Sequence, residues 1–357
     1  MMLASLGITT TSRARELYAS TDAVVGQEKA RKQLATVLDG QWRIGQGLDV
    51  RQPGGVLLGG RSGTGKTMSA RIMCEHLGLP YAESDATRYA EVAYKGLQLP
   101  QMFIPLLQAA ARMKDGDKPP EHQDSIFKRP DLAEIVESAQ HGVILLDEFD
   151  KWMQRVNHVT GKQDTAIQGE LLKMIEGSHE FVTATDDEVG TAFDTSKVLI
   201  ICAGAFVGLY HIVRQRLHED SDPKAQQMDD TFWDRIVPED FERFGLLPEL
   251  AGRLSRHIFT RPLQTHHMRE ILTRPGGILE YYRKRYEDAG TRWEIGDAGV
   301  IHIVAEAMKR ETGARALEFV ADRMLGGERL FDASVAERPL RLVLEPNMHK
   351  AELRPCP

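Results

Sequence analysis

Gly59-Gly60-Arg61-Ser62-Gly63-Thr64-Gly65-Lys66-Thr67 follows directly on the apolar run Gly55-Val56-Leu57-Leu58. A short apolar run before glycines reads as a buried strand that delivers the backbone into a tight turn, with a helix opening at its far end. That arrangement brings several backbone N–H groups and the positive end of a helix dipole onto one spot, which suits a polyphosphate. Gly60, Gly63 and Gly65 let the backbone curl where a Cβ would obstruct it. Lys66 is placed to reach the β- and γ-phosphates and the Thr67 hydroxyl to ligate Mg²⁺. Arg61, Ser62 and Thr64 complete a cradle whose expected ligands are ATP and Mg²⁺.

About eighty residues downstream comes Val143-Ile144-Leu145-Leu146-Asp147-Glu148. Four apolar residues ending in two carboxylates fit a central parallel strand, buried on both faces, whose carboxyl end opens on a ligand site. Asp147 is the expected holder of Mg²⁺ and Glu148 the group that polarises water for attack on the γ-phosphate. An isolated Asp-Glu also reads as a solvated helix cap. Beside the glycine loop, hydrolysis is the stronger reading.

Composition narrows the class. At 42% hydrophobic and 27% charged, the chain has the balance of an ordinary globular protein, and its 357 residues suffice for two domains. Lys plus Arg number 45 against 52 Asp plus Glu, a net charge of −7, so no general polyanion-binding surface is advertised and nucleic acid is a disfavoured partner. Cys74, Cys202 and Cys356 lie far apart, which argues against a disulfide framework and a zinc module. No stretch has the length and apolarity of a membrane span, and the start lacks a secretory pattern, so a cytoplasmic protein is expected.

Along the chain, residues 1–20 read as a polar lead without a fold of their own. Residues 21–262 alternate strands and helices as a doubly wound α/β domain should, with strands expected at 55–59, 80–84, 143–147, 197–203 and 257–260. Residues 114–130 and 217–227 read as exposed insertions and are the places expected to take a dedicated partner. Residues 263–357 read as a smaller, mostly helical domain, with helices at 265–273, 277–288, 297–310 and 314–330 and short strands near 293–295 and 340–344.

At this level of detail the chain resembles the AAA+ part of the ClpX protein unfoldases, with HslU a near relative, over roughly residues 22–345. The resemblance is carried by Val24-Val25-Gly26-Gln27-Glu28-Lys29-Ala30, the glycine loop, Leu145-Leu146-Asp147-Glu148-Phe149-Asp150-Lys151, Leu171-Leu172-Lys173-Met174-Ile175-Glu176-Gly177, Phe244-Gly245-Leu246-Leu247-Pro248-Glu249-Leu250-Ala251-Gly252-Arg253-Leu254 and Gly313-Ala314-Arg315-Ala316-Leu317. It implies an α/β AAA+ P-loop NTPase that works as a homo-hexameric ring on a protein substrate. Arg253 matches the arginine finger that reaches the neighbouring subunit's γ-phosphate, and is worth on the order of 10³ or more in rate. Arg315 matches the sensor-2 arginine of the same subunit. Val24 and Val25 match the segment around adenine. Tyr94 and Lys95, in Ala93-Tyr94-Lys95-Gly96, fall where the family carries its aromatic pore loop, where a flat ring grips a chain without demanding a sequence. A second pore loop is expected within 156–168, with His158 and Lys162 as contacts.

The departures from the family are as informative. The zinc-binding N-terminal domain is missing from this sequence, and nothing between Gly208 and Pro238 matches the Ile-Gly-Phe type loop that docks on the partner peptidase. Acidic Thr185-Asp186-Asp187-Glu188 replaces a basic entrance loop, so a different substrate signal is expected. Ala203-Gly204 occupy the sensor-1 region, where wider relatives place a polar side chain. Two readings follow: a ring that threads a protein substrate without the usual peptidase, or a nucleotide-gated binding module with slow hydrolysis and no threading.

Overall fold

In the computed structural model, residues 10–49, 53–90, 98–116, 123–154, 165–184, 189–217, 232–310, 312–346 and 348–356 are described. The chain divides into a first unit of Met1–Ala23, Glu28–Gly60 and Lys66–Thr260 and a second of Val24–Gln27, Arg61–Gly65 and Arg261–Pro357.

The strands of the first unit are β1 (Gly55–Gly59), β2 (Tyr81–Asp85), β3 (Val143–Asp147), β4 (His179–Thr183), β5 (Gly190–Asp194), β6 (Leu199–Gly204) and β7 (Arg256–Phe259). Five of them form a parallel sheet in the order β2-β3-β6-β1-β7. Successive strand residues point to opposite faces, so Ile144 and Leu146 of β3 enter one core with Phe103, Trp152 and Leu171, while Val143 and Leu145 enter another with Leu34, Leu38 and Met73. Each such side chain, fully withdrawn from water, contributes roughly 1.5–3 kcal/mol, which explains the uniform apolarity of β1, β3 and β6. Helices Ile104–Asp115, Leu132–Gln140 and Ala166–Glu176 supply the first core; Glu28–Gly45 and Lys66–Leu77 supply the second.

The parallel α/β sheet is as expected, with strand ends displaced by one or two residues. Three details correct the sequence reading. The polar lead is a helix over Thr10–Ser20 that buries Leu17 completely in the second core, and Arg31 donates to Tyr18 O and Thr21 Oγ1 at 2.8 Å each. The stretch 114–130 is only partly an exposed insertion, because Ile126 and Phe127 are buried in the first core. Arg129 ties its two ends together by pairing with both Asp115 and Asp131. An antiparallel hairpin, β4–β5, was not anticipated.

In the second unit, helices Thr265–Thr273, Ile278–Asp288, Asp297–Met308, Arg315–Leu325 and Glu328–Ser334 pack around Leu272, Tyr286, Ile303, Leu317 and Leu325. A small sheet orders β8 (Arg292–Trp293), β9 (Leu340–Val343) and β10 (Glu352–Pro355) as β10-β9-β8. The single helix expected over 314–330 is two, broken at Gly326-Gly327, where Gly327 turns left-handed at φ 68°. Among the described residues no helix is long and apolar enough to cross a membrane.

Candidate functional site

β1 ends at Gly59, and Gly60 carries the backbone off the sheet at φ 132°, where a Cβ would lie 2.1 Å from Thr260 Oγ1. The Gly60 N–H donates to Gly204 O at 3.1 Å, tying the start of the glycine loop to the carboxyl end of β6, the neighbour of β1. The helix Lys66–Leu77 then begins with Lys66, a largely buried residue whose Nζ donates to Gly60 O at 2.5 Å. The ammonium therefore lies against the residue that opens the loop, at the positive end of a twelve-residue helix. Thr67 follows, half-buried.

At the carboxyl end of β3, Asp147 O accepts the Ala86 N–H at 2.8 Å and Asp147 Oδ1 accepts the Glu148 N–H at 2.9 Å. Glu148 itself is exposed and left-handed, with φ 56°. A non-glycine residue in that region costs of order 1 kcal/mol or more and persists only where its surroundings enforce it. Here they do. Phe149 and Trp152 are fully buried, edge to face at 5.4 Å, Trp152 Nε1 donates to Ala86 O at 2.8 Å, and the Lys151 N–H donates to Glu148 O at 3.0 Å.

The second unit gathers the rest of the glycine loop. Ala314 N–H donates to Gly63 O at 3.0 Å, and a Cβ on Gly63 would lie 2.2 Å from Thr312 O. Arg315 Nη1 donates to Ser62 Oγ at 2.9 Å and Thr64 Oγ1 to Arg61 O at 2.8 Å. Val24 and Val25 are buried, and Val24 Cγ1 stands where a Cβ on Gly65 would fall, at 2.7 Å. Gly26 and Gln27 are both left-handed, and the Gln27 amide is locked by two 2.7 Å hydrogen bonds to the backbone N–H and carbonyl of Arg261.

Arg253 closes the helix Pro248–Arg253 in the first unit; its side chain is 59% exposed and pairs with Glu176. Tyr94 and Lys95 lie outside the described residues, as do His158, Lys162 and 185–188. So the structure places Gly60, Lys66, Thr67, Asp147 and Glu148 in one unit, and Val24, Val25, Arg61, Ser62, Gly63, Thr64, Gly65 and Arg315 in the other. The sequence reading gave no role to Glu176, Gln27 or Asp150. Glu176 is revealed by its pairing with the Arg253 side chain, and Gln27 and Asp150 by their hold on distant backbone.

The residues suit a nucleoside triphosphate with Mg²⁺. Within the first unit, Gly60 stands where a side chain would collide with Thr260, the Lys66 ammonium lies against it at a helix N-terminus, and Thr67 and Asp147 are hard oxygen donors of the kind Mg²⁺ takes beside phosphate and water. Glu148 stands exposed at the strand end on its left-handed backbone.

A family model described as AAA domain (Cdc48 subfamily) matches residues 51–257. Among curated proteins, the chain is similar to the ATP-dependent Clp protease ATP-binding subunit ClpX of several bacteria. It is 28% identical to the Azotobacter vinelandii protein over 333 residues, 85% of this chain and 70% of that one. To the Treponema denticola protein it is 25% identical over 346 residues, 91% and 78% of the two chains. To that of Borrelia duttonii it is 29% identical over 323 residues, 85% and 70%.

Proposed function

We propose, from the premise that the chain belongs to the AAA domain (Cdc48 subfamily) family and is ClpX-like within it, that it is an ATP-hydrolysing protein-remodelling machine. It assembles as a homo-hexameric ring in the cytoplasm and threads a polypeptide through its pore. It does so without the usual peptidase partner, since 208–238 carries no Ile-Gly-Phe type loop. Residues 21–262 form the large ATPase domain and 263–357 the small one. A dedicated partner binds through 114–130 or 217–227.

Gly60 to Thr67 hold the phosphates and Val24 and Val25 flank the adenine. Thr67 and Asp147 would hold Mg²⁺, whose charge would offset that of the phosphate oxygens. Glu148 orients a water in line with the γ-phosphorus and takes its proton as the bond to the β–γ bridging oxygen breaks, giving ADP and phosphate. Arg253 stabilises charge on the γ-phosphoryl group bound to the neighbouring subunit, and Arg315 reads the nucleotide of its own. Tyr94 and Lys95 grip the substrate chain.

The observation that carries this reading is Glu148, exposed at the end of β3 on a backbone held left-handed. Glu148→Gln should keep ATP binding and ring assembly and abolish turnover; undiminished hydrolysis would overturn the assignment. Tyr94→Ala should spare the ATPase and uncouple unfolding of a substrate protein. The similarity to ClpX subunits supports an ATPase of the unfoldase family over a nucleotide-gated binding module, which predicts no change in ATPase rate when unfolded protein is added.

A further inference from the structure

Asp150, two residues beyond Glu148, is 1% exposed, and the reaction as described above makes no use of it. Its Oδ2 accepts the Phe206 N–H at 3.1 Å, and the opposite oxygen faces the bare Cα of Gly204, where a Cβ would lie 2.5 Å from Oδ1. Gly204 is the last residue of β6, and its carbonyl is the acceptor for the Gly60 N–H. Phe206 is one of three described non-glycine residues with positive φ, at 50°; Glu148 is another. Its ring is fixed against Phe244 at 5.7 Å, Phe241 at 6.2 Å and Phe259 at 6.3 Å.

Burying a carboxylate is costly, and an apolar side chain would fill the same volume. What an apolar side chain cannot do is accept the N–H of a residue held in the left-handed region. The two strained positions, Glu148 and Phe206, are thus joined through one side chain across the ends of β3 and β6. Ala203-Gly204 bring no polar side chain to this point; Asp150 brings one from the helical turn Phe149–Gln154 that follows the neighbouring strand.

We propose that Asp150 is a positioning residue for Glu148. Its carboxylate clamps the turn after β3 to the end of β6, which in turn holds Gly60 at the start of the glycine loop, so that Glu148 and Gly60 keep a fixed separation. Gly204 is the necessary counterpart, because only a residue without a Cβ leaves room for the clamp. The inference rests on Glu148 being the general base.

The test is a set of full-length variants assayed with Mg-ATP well below their melting temperatures. Asp150→Ala should lower kcat by roughly 10- to 100-fold, the scale expected of a reacting group displaced by about 1 Å, with KM and nucleotide Kd within about twofold. Asp150→Asn keeps an oxygen acceptor for Phe206 and should recover kcat to within about threefold of the parent. Gly204→Ala should reproduce the kcat loss by pushing the carboxylate aside, and adding it to Asp150→Ala should cost little further, because only the milder 3.1 Å approach to the residue-150 Cβ then remains. A parental kcat in Asp150→Ala, an Asp150→Asn as slow as the alanine variant, or losses at 150 and 204 that multiply would each overturn the proposal. Should Asp150→Ala fail to fold, Gly204→Ala decides, and a parental kcat there is fatal. Glu148→Gln run alongside separates the two ideas: if it hydrolyses at the parental rate the base assignment falls and this inference with it. If it is dead while Asp150→Ala is fully active, only the clamp is lost.

Discussion

Arg253 donates from both Nε and Nη2 to a single oxygen, Oε1, of Glu176, at 2.8 Å each. The two side chains are 59% and 41% exposed, so water screens the pair and its contribution to stability is about 0–1 kcal/mol. A guanidinium held so lightly is free to exchange its carboxylate for a stronger anion. Arg253→Ala should therefore shift the melting midpoint by no more than roughly 2–4 °C, while hydrolysis falls on the order of 10³-fold. The decisive measurement mixes Arg253→Ala with Glu148→Gln. Each alone should be inactive, and the mixture should regain part of the turnover, because some clefts then pair an intact Glu148 with an intact Arg253. No recovery would mean that the arginine serves its own subunit.

Gly313 sits at φ 55°, with space for a Cβ only 2.7 Å from Ser62 O. Gly313→Ala adds both steric and backbone strain of about 1–3 kcal/mol, which should weaken ATP roughly 5- to 150-fold. Ser62→Ala removes only the exposed hydrogen bond to Arg315 and should change affinity by less than about threefold. Titration with a fluorescent ATP analogue distinguishes them, and equal effects would discount the contact of Gly313 with the loop.

Leu17 is fully buried under the helix Glu28–Gly45. Leu17→Ala should cost about 2–5 kcal/mol in urea unfolding, the range for a core leucine. A cost near zero would mean that the N-terminal helix is not docked in solution.

His257, on β7, has Nε2 buried without a hydrogen-bond partner among the described residues, and burial lowers its pKa below the ordinary 6.5. The unfolded chain therefore binds a proton at a pH where the folded chain does not. The stability this residue confers is complete above about pH 6.5 and drains away as pH falls from there toward the folded value. Melting temperatures measured from pH 7.5 to 5.5 should decline, and His257→Leu should flatten that decline. An unchanged slope in the variant would assign the acid sensitivity elsewhere.

The glycine loop and the Asp147-Glu148 strand end were legible because each depends on residues adjacent in sequence, where spacing and strand apolarity carry the geometry. Arg315 was another matter: it meets Ser62 across 253 residues of chain, and only the family resemblance singled it out. The motif that contains Asp150 does not disclose its contacts, because they lie in the backbone N–H of Phe206 and the bare Cα of Gly204, neither of which a motif displays. The N-terminal helix escaped notice since its polar surface outweighs one buried leucine. Ile126 and Phe127 were hidden by the charges and prolines around them. The break at Gly326-Gly327 was masked by amphipathic patterns that run up to it from both sides.

The bond from Ala314 to Gly63, with Arg315 on Ser62, has a consequence for anyone dissecting this chain. A fragment stopped at Thr260 would retain its lysine and both carboxylates and still be a poor receptor for ATP, its phosphate loop bereft of the braces that the last hundred residues provide. For the same reason, a chimera with a foreign C-terminal segment should keep its loop Arg61–Gly65 only as well as the new tail reproduces the bonds that Ala314 and Arg315 make to it.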